Sequence, residues 1–147
     1  MTHRPKHILV PVDGSSGAEH ALDVGAMLAR VTGARLSVLY VVSATSAETM
    51  GMRHMDRSAI DDHLRHAAAP VLEKARASLE AEEGLSGVDE LVRFGDPADE
   101  ILGAVRRVGA DHVVMGSRGQ TALQGLVMGS VSEKVARSAP CPVTIVR

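Results

Sequence analysis

Short, unbroken apolar runs alternate with helical repeats along this chain, and that alternation restricts the possible folds more than any other feature. Ile8-Leu9-Val10-Pro11-Val12 opens the series; Leu36 to Val42, apolar apart from Ser37, Val113-Val114-Met115 and Val143 to Val146 continue it. A strand without polar alternation is one covered on both faces. Val88 to Phe94 reads as a weaker strand of the same kind. Between these runs the apolar spacing is helical, from Ser16 to Gly33, from Ser58 through Leu79, from Asp96-Pro97, and from Ser130 to about Ala139. The order β-α-β-α-β-α-β-α-β requires a parallel sheet sandwiched between helices. At 147 residues the chain fits one domain, residues 1–147.

Local signals refine the boundaries. Ser16 with Glu19, and Ser130 with Glu133, have capping-box spacing. Gly33 is placed to stop the first helix, and Pro97 follows a potential N-cap, Asp96. Pro70 is expected to kink or split the helix that begins near Ser58. Residues 43–57 have no period and read as a loop.

Composition removes several functions. Tyr40 and Phe94 are the only aromatic residues and there is no Trp, which withholds the stacking platform that single-stranded nucleic acid needs. A net charge of −2 lacks the basic footprint of a nucleic-acid binder. Cys141 is the lone cysteine, so neither an internal disulfide nor a Cys-rich zinc site is expected. No run approaches the roughly 20 apolar residues that span a bilayer. The basic start, Met1 to Lys6, precedes an apolar stretch that stops at Asp13, too short for a signal peptide's core. A soluble, cytoplasmic protein is expected.

Ligands of open α/β sheets sit beyond the carboxyl ends of the strands, where strand order reverses. Two loops there have suitable composition: Asp13 to Gly17 after the first strand, and Gly116 to Ser130 after the fourth. The second carries Gly116-Ser117-Arg118-Gly119 and, nine residues on, Gly129-Ser130. Glycines let amides approach an anion, and a helix N-terminus at Gly129-Ser130 favours phosphate. Arg118 can add a charge-assisted contact. The same glycines are also compatible with turns and a helix start alone. Neither G-x-x-x-x-G-K-[ST] nor G-x-G-x-x-G occurs, against a Walker-type ATPase or an ordinary dinucleotide dehydrogenase.

Gly116-x2-Gly119-x9-Gly129-Ser130 resembles the nucleotide-binding motif of the ATP-binding universal stress proteins. The resemblance extends over the whole chain, through Ile8 to Ser15, Gly95-Asp96-Pro97-Ala98, Ser130 to Val135 and Ala139 to Arg147. It implies an open five-stranded parallel sheet of order 3-2-1-4-5 with helices on both faces, a Rossmann-like arrangement of the adenine nucleotide alpha hydrolase type. It also implies ATP with Mg²⁺ as ligand and a nucleotide-responsive regulator of the stress response. By the same resemblance Asp13 contacts the adenosine and Val41 lines the adenine pocket. Gly116, Gly119, Gly129 and Ser130 hold ribose and phosphates. Pro11, Val12, Met115, Ser117, Arg118, Val131 and Ser132 complete the expected site. Tyr40 departs from the family, many of whose members carry His beside the valine. Strand alternation turns Tyr40 to the opposite face from Val41.

Other candidates are weaker. Asp13 can cap its own turn. Met50 to Met55 places thioethers near His54, a possible soft-metal loop or an apolar cover. His63 and His66 sit one helical turn apart beside Asp61 and Asp62, more simply a solvated face. Cys141, between two prolines, reads as a buried filler. Ser15, Ser16 and Ser117 lack a visible His–acid pair, so no catalytic nucleophile is assigned. Order 3-2-1-4-5 leaves residues 143–146 as an apolar edge strand, suited to a homodimer across a two-fold axis, as the resemblance also implies. A slow ATPase or phosphoryl donor on the same site, and an adaptor that docks proteins without nucleotide, are the alternative functions.

Overall fold

The apolar run at residue 8 becomes the central strand of a sheet in a computed structural model, which describes residues 3–45, 51–85, 87–119 and 128–147. The strands are β1 (His7–Val12), β2 (Arg35–Ser43), β3 (Val88–Gly95), β4 (His112–Gly116) and β5 (Val143–Val146). Among the described residues four α-helices alternate with them: α1 (Ser16–Thr32), α2 (Arg57–Glu80), α3 (Pro97–Val108) and α4 (Ser130–Ser138). All pairings are parallel and the order is β3-β2-β1-β4-β5, as expected.

Period-two alternation distributes each strand's side chains to two cores. Ile8, Val10, Leu36, Val38 and Val114 pack against α1 and α2, whereas Leu9, Leu39, Val113 and Met115 pack against α3 and α4. Each such fully buried aliphatic side chain contributes about 1.5–3 kcal/mol through its removal from water. Small residues bring α1 close to the sheet. A Cβ on Gly25 would lie 2.5 Å from Val10 Cγ2, so only glycine permits this approach.

The helix ends correct two local expectations. The N-cap of α1 is Ser15, whose Oγ accepts the Ala18 N–H at 3.2 Å; Ser16 is already helical. The adjacent serines are chemically equivalent, and it is the turn before them that decides which one caps. The N-cap of α4 is Gly129, with no side-chain hydrogen bond, while Glu133 pairs with Arg137 at 2.6 Å. Pro70 does not split α2. It lies on the exposed face, while Ala68, Leu72, Ala75 and Leu79 anchor the helix to the sheet on either side. Asp96 caps α3 through the Asp99 N–H, and Gly33, at φ +74°, ends α1. Residues 43–57 include the end of β2 and a short 3₁₀ turn, Met52–His54.

Gly103 is a helical glycine that neither a tight backbone approach nor a positive φ requires. A Cβ on Gly103, inside α3, meets only the flexible Arg107 Nη2 at 3.2 Å. Gly103→Ala should therefore stabilise the protein by about 0.5–1 kcal/mol through helix propensity. Denaturant unfolding will show this as a raised midpoint with unchanged slope; a lowered midpoint would mean that the backbone there is more crowded than these contacts indicate.

Candidate functional site

Chain order runs outward from β1 in both directions, so the reversal falls between β1 and β4, and their carboxyl ends open a crevice. Two loops meet there backbone to backbone. A Cβ on Gly116 would lie 3.0 Å from the Gly17 carbonyl carbon and 3.3 Å from the Ala18 nitrogen. A Cβ on Gly17 would in turn lie 3.1 Å from the Arg118 carbonyl oxygen. The start of α1 and the end of β4 can touch because each presents a glycine at the contact.

Asp13 does close its own turn: Oδ1 accepts the Ser15 N–H at 2.9 Å, and Gly14 takes φ +83°. Its other carboxylate oxygen stands against Gly119, where a Cβ would come within 2.5 Å. The turn and the loop after β4 are thus fitted to each other through this carboxylate.

Ser117 fastens the remaining part. Its N–H donates to the Val146 carbonyl at 2.8 Å. Its carbonyl accepts the Gly129 N–H at 2.6 Å and the Ser132 hydroxyl at 2.7 Å. These bonds pin the N-terminus of α4 to the end of β4. The first backbone bond of α4 is the Glu133 N–H to the Gly129 carbonyl, and among the described residues no side chain caps the helix. The amides of Ser130, Val131 and Ser132 are the orphan donors of such an end, where the helix dipole is positive.

A cleft of about 590 Å³ lies over this junction. It is lined by Pro11, Val12, Asp13, Val41, Met115, Gly116, Arg118, Gly119, Gly129, Ser130, Val131 and Ser132, every expected site residue except Ser117. Ser117 is buried, and its hydrogen bonds join β4, β5 and α4. Sequence reasoning missed Leu39, Ser43 and Thr45 at the end of β2, and Pro97 and Ile101 from α3. A signal for them existed: β2 is a neighbour of β1, so its carboxyl end must border the same crevice. Tyr40 packs against the α1–α2 core and Val41 against the other, as alternation requires, although Tyr40 still forms part of the cleft wall. One end of the cleft is therefore aliphatic, with Leu39, Val41, Ile101 and Met115. The other is rich in glycine, hydroxyl and amide groups, and its charged side chains among the described residues are Asp13 and Arg118.

The other candidates gain little. Met50 and residues 120–127 of the glycine-rich loop lie outside the described residues, as does the Arg53 side chain. Met52 is buried, while His54 and Met55 are exposed. No group of three or more His, Cys, Asp or Glu among the described residues is placed to hold a metal ion. Cys141 is partly buried, and burial raises its thiol pKa, which keeps it protonated near neutrality. No described helix is long and apolar enough to cross a membrane.

The shifted histidines lie at the opposite, amino end of the sheet. His7 Nε2 is hydrogen-bonded to Ser37 Oγ at 2.7 Å, and His112 Nε2 to Thr144 Oγ1 at 2.8 Å. Burial lowers the pKa of both from 6.5; Arg35 adds to the effect at His7, and His3 at His112. A histidine whose folded pKa lies below its unfolded value stabilises fully above the unfolded value and loses that contribution as pH falls. Thermal midpoints should accordingly drop between pH 7 and pH 5. A midpoint that held constant over this interval would contradict the burial of neutral imidazoles.

A doubly wound parallel sheet whose switch-point cleft is walled by glycines and a helix N-terminus defines a Rossmann-like α/β protein. The residue pattern of the Universal stress protein family matches positions 5–147, and the chain belongs to that family. Universal stress protein YxiE of Bacillus subtilis is 34% identical over 146 residues, spanning 95% of this chain and 97% of its own. A universal stress protein from Archaeoglobus fulgidus, solved in complex with dAMP, superposes with a TM-score of 0.67 at 26% identity, covering 99% of this chain and 100% of the other. A universal stress protein solved in complex with cAMP gives 0.65 at 25% identity, covering 99% and 98%.

Proposed function

We propose that this chain binds ATP with Mg²⁺ in the cleft between the ends of β1 and β4, and that it acts in the cytoplasm as a nucleotide-responsive regulator. The observation that carries this reading is the cleft's polarity: an aliphatic end, and a glycine-walled end facing the uncapped N-terminus of α4. An adenine ring suits the first and phosphates suit the second. Val41, with Pro11, Val12 and Met115, holds the base between aliphatic side chains. Asp13 accepts hydrogen bonds from the ribose. Gly116, Gly119, Gly129, Ser130, Val131 and Ser132 surround the phosphates, with Arg118 at the rim. The relatives solved with cAMP and dAMP support an adenine nucleotide as the class of ligand.

The donor set fits Mg²⁺ only as an ion carried by phosphates. Among the described residues Asp13 is the one carboxylate lining the cleft, joined by the Ser130 hydroxyl, and Mg²⁺ commonly uses one or two carboxylates plus phosphate oxygens. Once bound, the ion neutralises phosphate charge. Fast phosphoryl transfer also needs a group to position the nucleophile and a clamp on the developing charge. Asp13 is engaged in its own turn, so turnover at the site is slow. β5, an edge strand, pairs with its counterpart in a homodimer.

Isothermal calorimetry with ATP, AMP and cAMP, each with and without Mg²⁺, tests the reading. One site per chain, tightest for ATP with Mg²⁺, is expected. Absence of heat with every nucleotide would leave the nucleotide-independent adaptor. Single-turnover product formation distinguishes a binder from a slow ATPase.

A further inference from the structure

The outer edge of β3 is built to pair with itself, and we infer that a second copy of this chain docks there antiparallel, about a two-fold axis at Leu91. β3 ends the sheet opposite β5. The Gly87 and Gly95 carbonyls accept from the Leu36 and Ala44 amides of the neighbouring chain segment. By alternation Asp89, Leu91 and Arg93 also turn their backbone groups towards β2, so Val88, Glu90, Val92 and Phe94 present theirs outward.

In the antiparallel register centred on Leu91, those outward groups meet each other, Val88 opposite Phe94 and Glu90 opposite Val92. The intervening pairs are Asp89 opposite Arg93, made twice, and Leu91 opposite Leu91. The charges are therefore complementary in a sequence that faces itself, and pairing across the seam would be shared with the contacts Asp89 and Arg93 already make within one copy, to Arg35 at 2.7 Å and Glu100 at 3.4 Å. The apolar residues agree: Val88 and Phe94 are 38% and 40% exposed, two of the few large hydrophobic side chains exposed among the described residues, and this register places each on the other.

A second cavity, of about 380 Å³, lies on the same face beside Val88, walled by the apolar Val38, Ala75, Leu79 and Leu85 and by charged residues that include the Arg76–Glu90 ion pair. The two-fold brings Phe94 of the second copy to its mouth. The flanking layers of the two copies meet at this seam: α2 and α3 each lie over both β2 and β3, so equivalent helices of two copies stand about two strand spacings apart, roughly 10 Å, the separation of packed helices. The inference depends neither on what occupies the nucleotide cleft nor on pairing through β5.

Disulfide trapping in the full chain tests it. With Cys141→Ser to remove the native thiol, Leu91→Cys puts one cysteine on the axis. A non-hydrogen-bonded antiparallel pair there has Cα atoms about 4.5 Å apart, within disulfide range. Mild oxidation should yield a covalent dimer. Adding Arg93→Asp sets aspartate against Asp89 and should cut the yield roughly tenfold or more; adding Asp89→Arg as well should restore it. Sedimentation of the single reversal and of the double exchange, without Leu91→Cys, reads the same contacts if that cysteine variant does not fold. A thiol that labels freely yet forms no dimer would overturn the inference. So would self-association indifferent to the charge exchange, which would make Asp89 and Arg93 guards of a solitary edge.

Discussion

Gly129→Ala should weaken ATP binding by about a hundredfold while lowering the unfolding midpoint by only about 2–4 °C, the cost of alanine at an N-cap. The expectation rests on a contrast within one position. In the structure a Cβ on Gly129 meets only ordinary contacts, the nearest being the Ser117 carbonyl oxygen at 3.5 Å, and its φ of −80° suits any residue. The fold therefore does not need glycine there. A ligand that lies against the helix N-terminus does, because the added methyl stands where phosphate oxygens approach the amides. Gly119→Ala cannot separate these effects, since its Cβ falls 2.5 Å from the Asp13 carboxylate and must displace it. Calorimetry and thermal unfolding on the same Gly129→Ala sample decide the matter. Unchanged affinity would mean that the α4 end is not a phosphate site.

Gly116→Val should cost about 3 kcal/mol of stability, lowering the midpoint by ~10 °C, and should abolish nucleotide binding. Here the neighbours are backbone atoms of Gly17 and Ala18, which cannot swing aside as a side chain can. Relief requires the first turn of α1 to move away from β4. That movement also opens the junction on which Asp13 and Gly119 meet. Denaturant unfolding with an unchanged slope would report the stability loss. A stable variant that still bound ATP would show that the two loops are not wedged together.

Much of this was legible in the residues. Continuous apolar strands separated by helical periods dictate a parallel sheet covered on both faces, because no other arrangement buries both sides of such strands. Gly116, Gly119 and Gly129 announced a close approach by their spacing. Their partners were hidden, since nothing local says that Gly116 faces Gly17, or that Ser117 binds Gly129, Ser132 and Val146 at once. Such contacts arise only when segments separated in the chain, for Gly116 and Gly17 by about a hundred residues, are brought together by the fold. The caps failed for a related reason. Ser15 and Ser16 offer the same chemistry, and Ser130 with Glu133 has the right spacing, yet Ser117 draws Gly129 into the N-cap position. The contribution of α3 to the cleft, Pro97 and Ile101, depends on how that helix lies over β2, a matter of packing that local signals do not encode.

The amide spectrum of the isotopically labelled chain, recorded as ATP with Mg²⁺ is added, tests the central proposal most directly. Resonances of Asp13 to Ala18, Gly116 to Gly119 and Gly129 to Ser132 should shift together and saturate at one nucleotide per chain, while those of His7 and His112 at the other end of the sheet stay in place. An unperturbed spectrum, or shifts confined to residues away from the β1–β4 crevice, would contradict it.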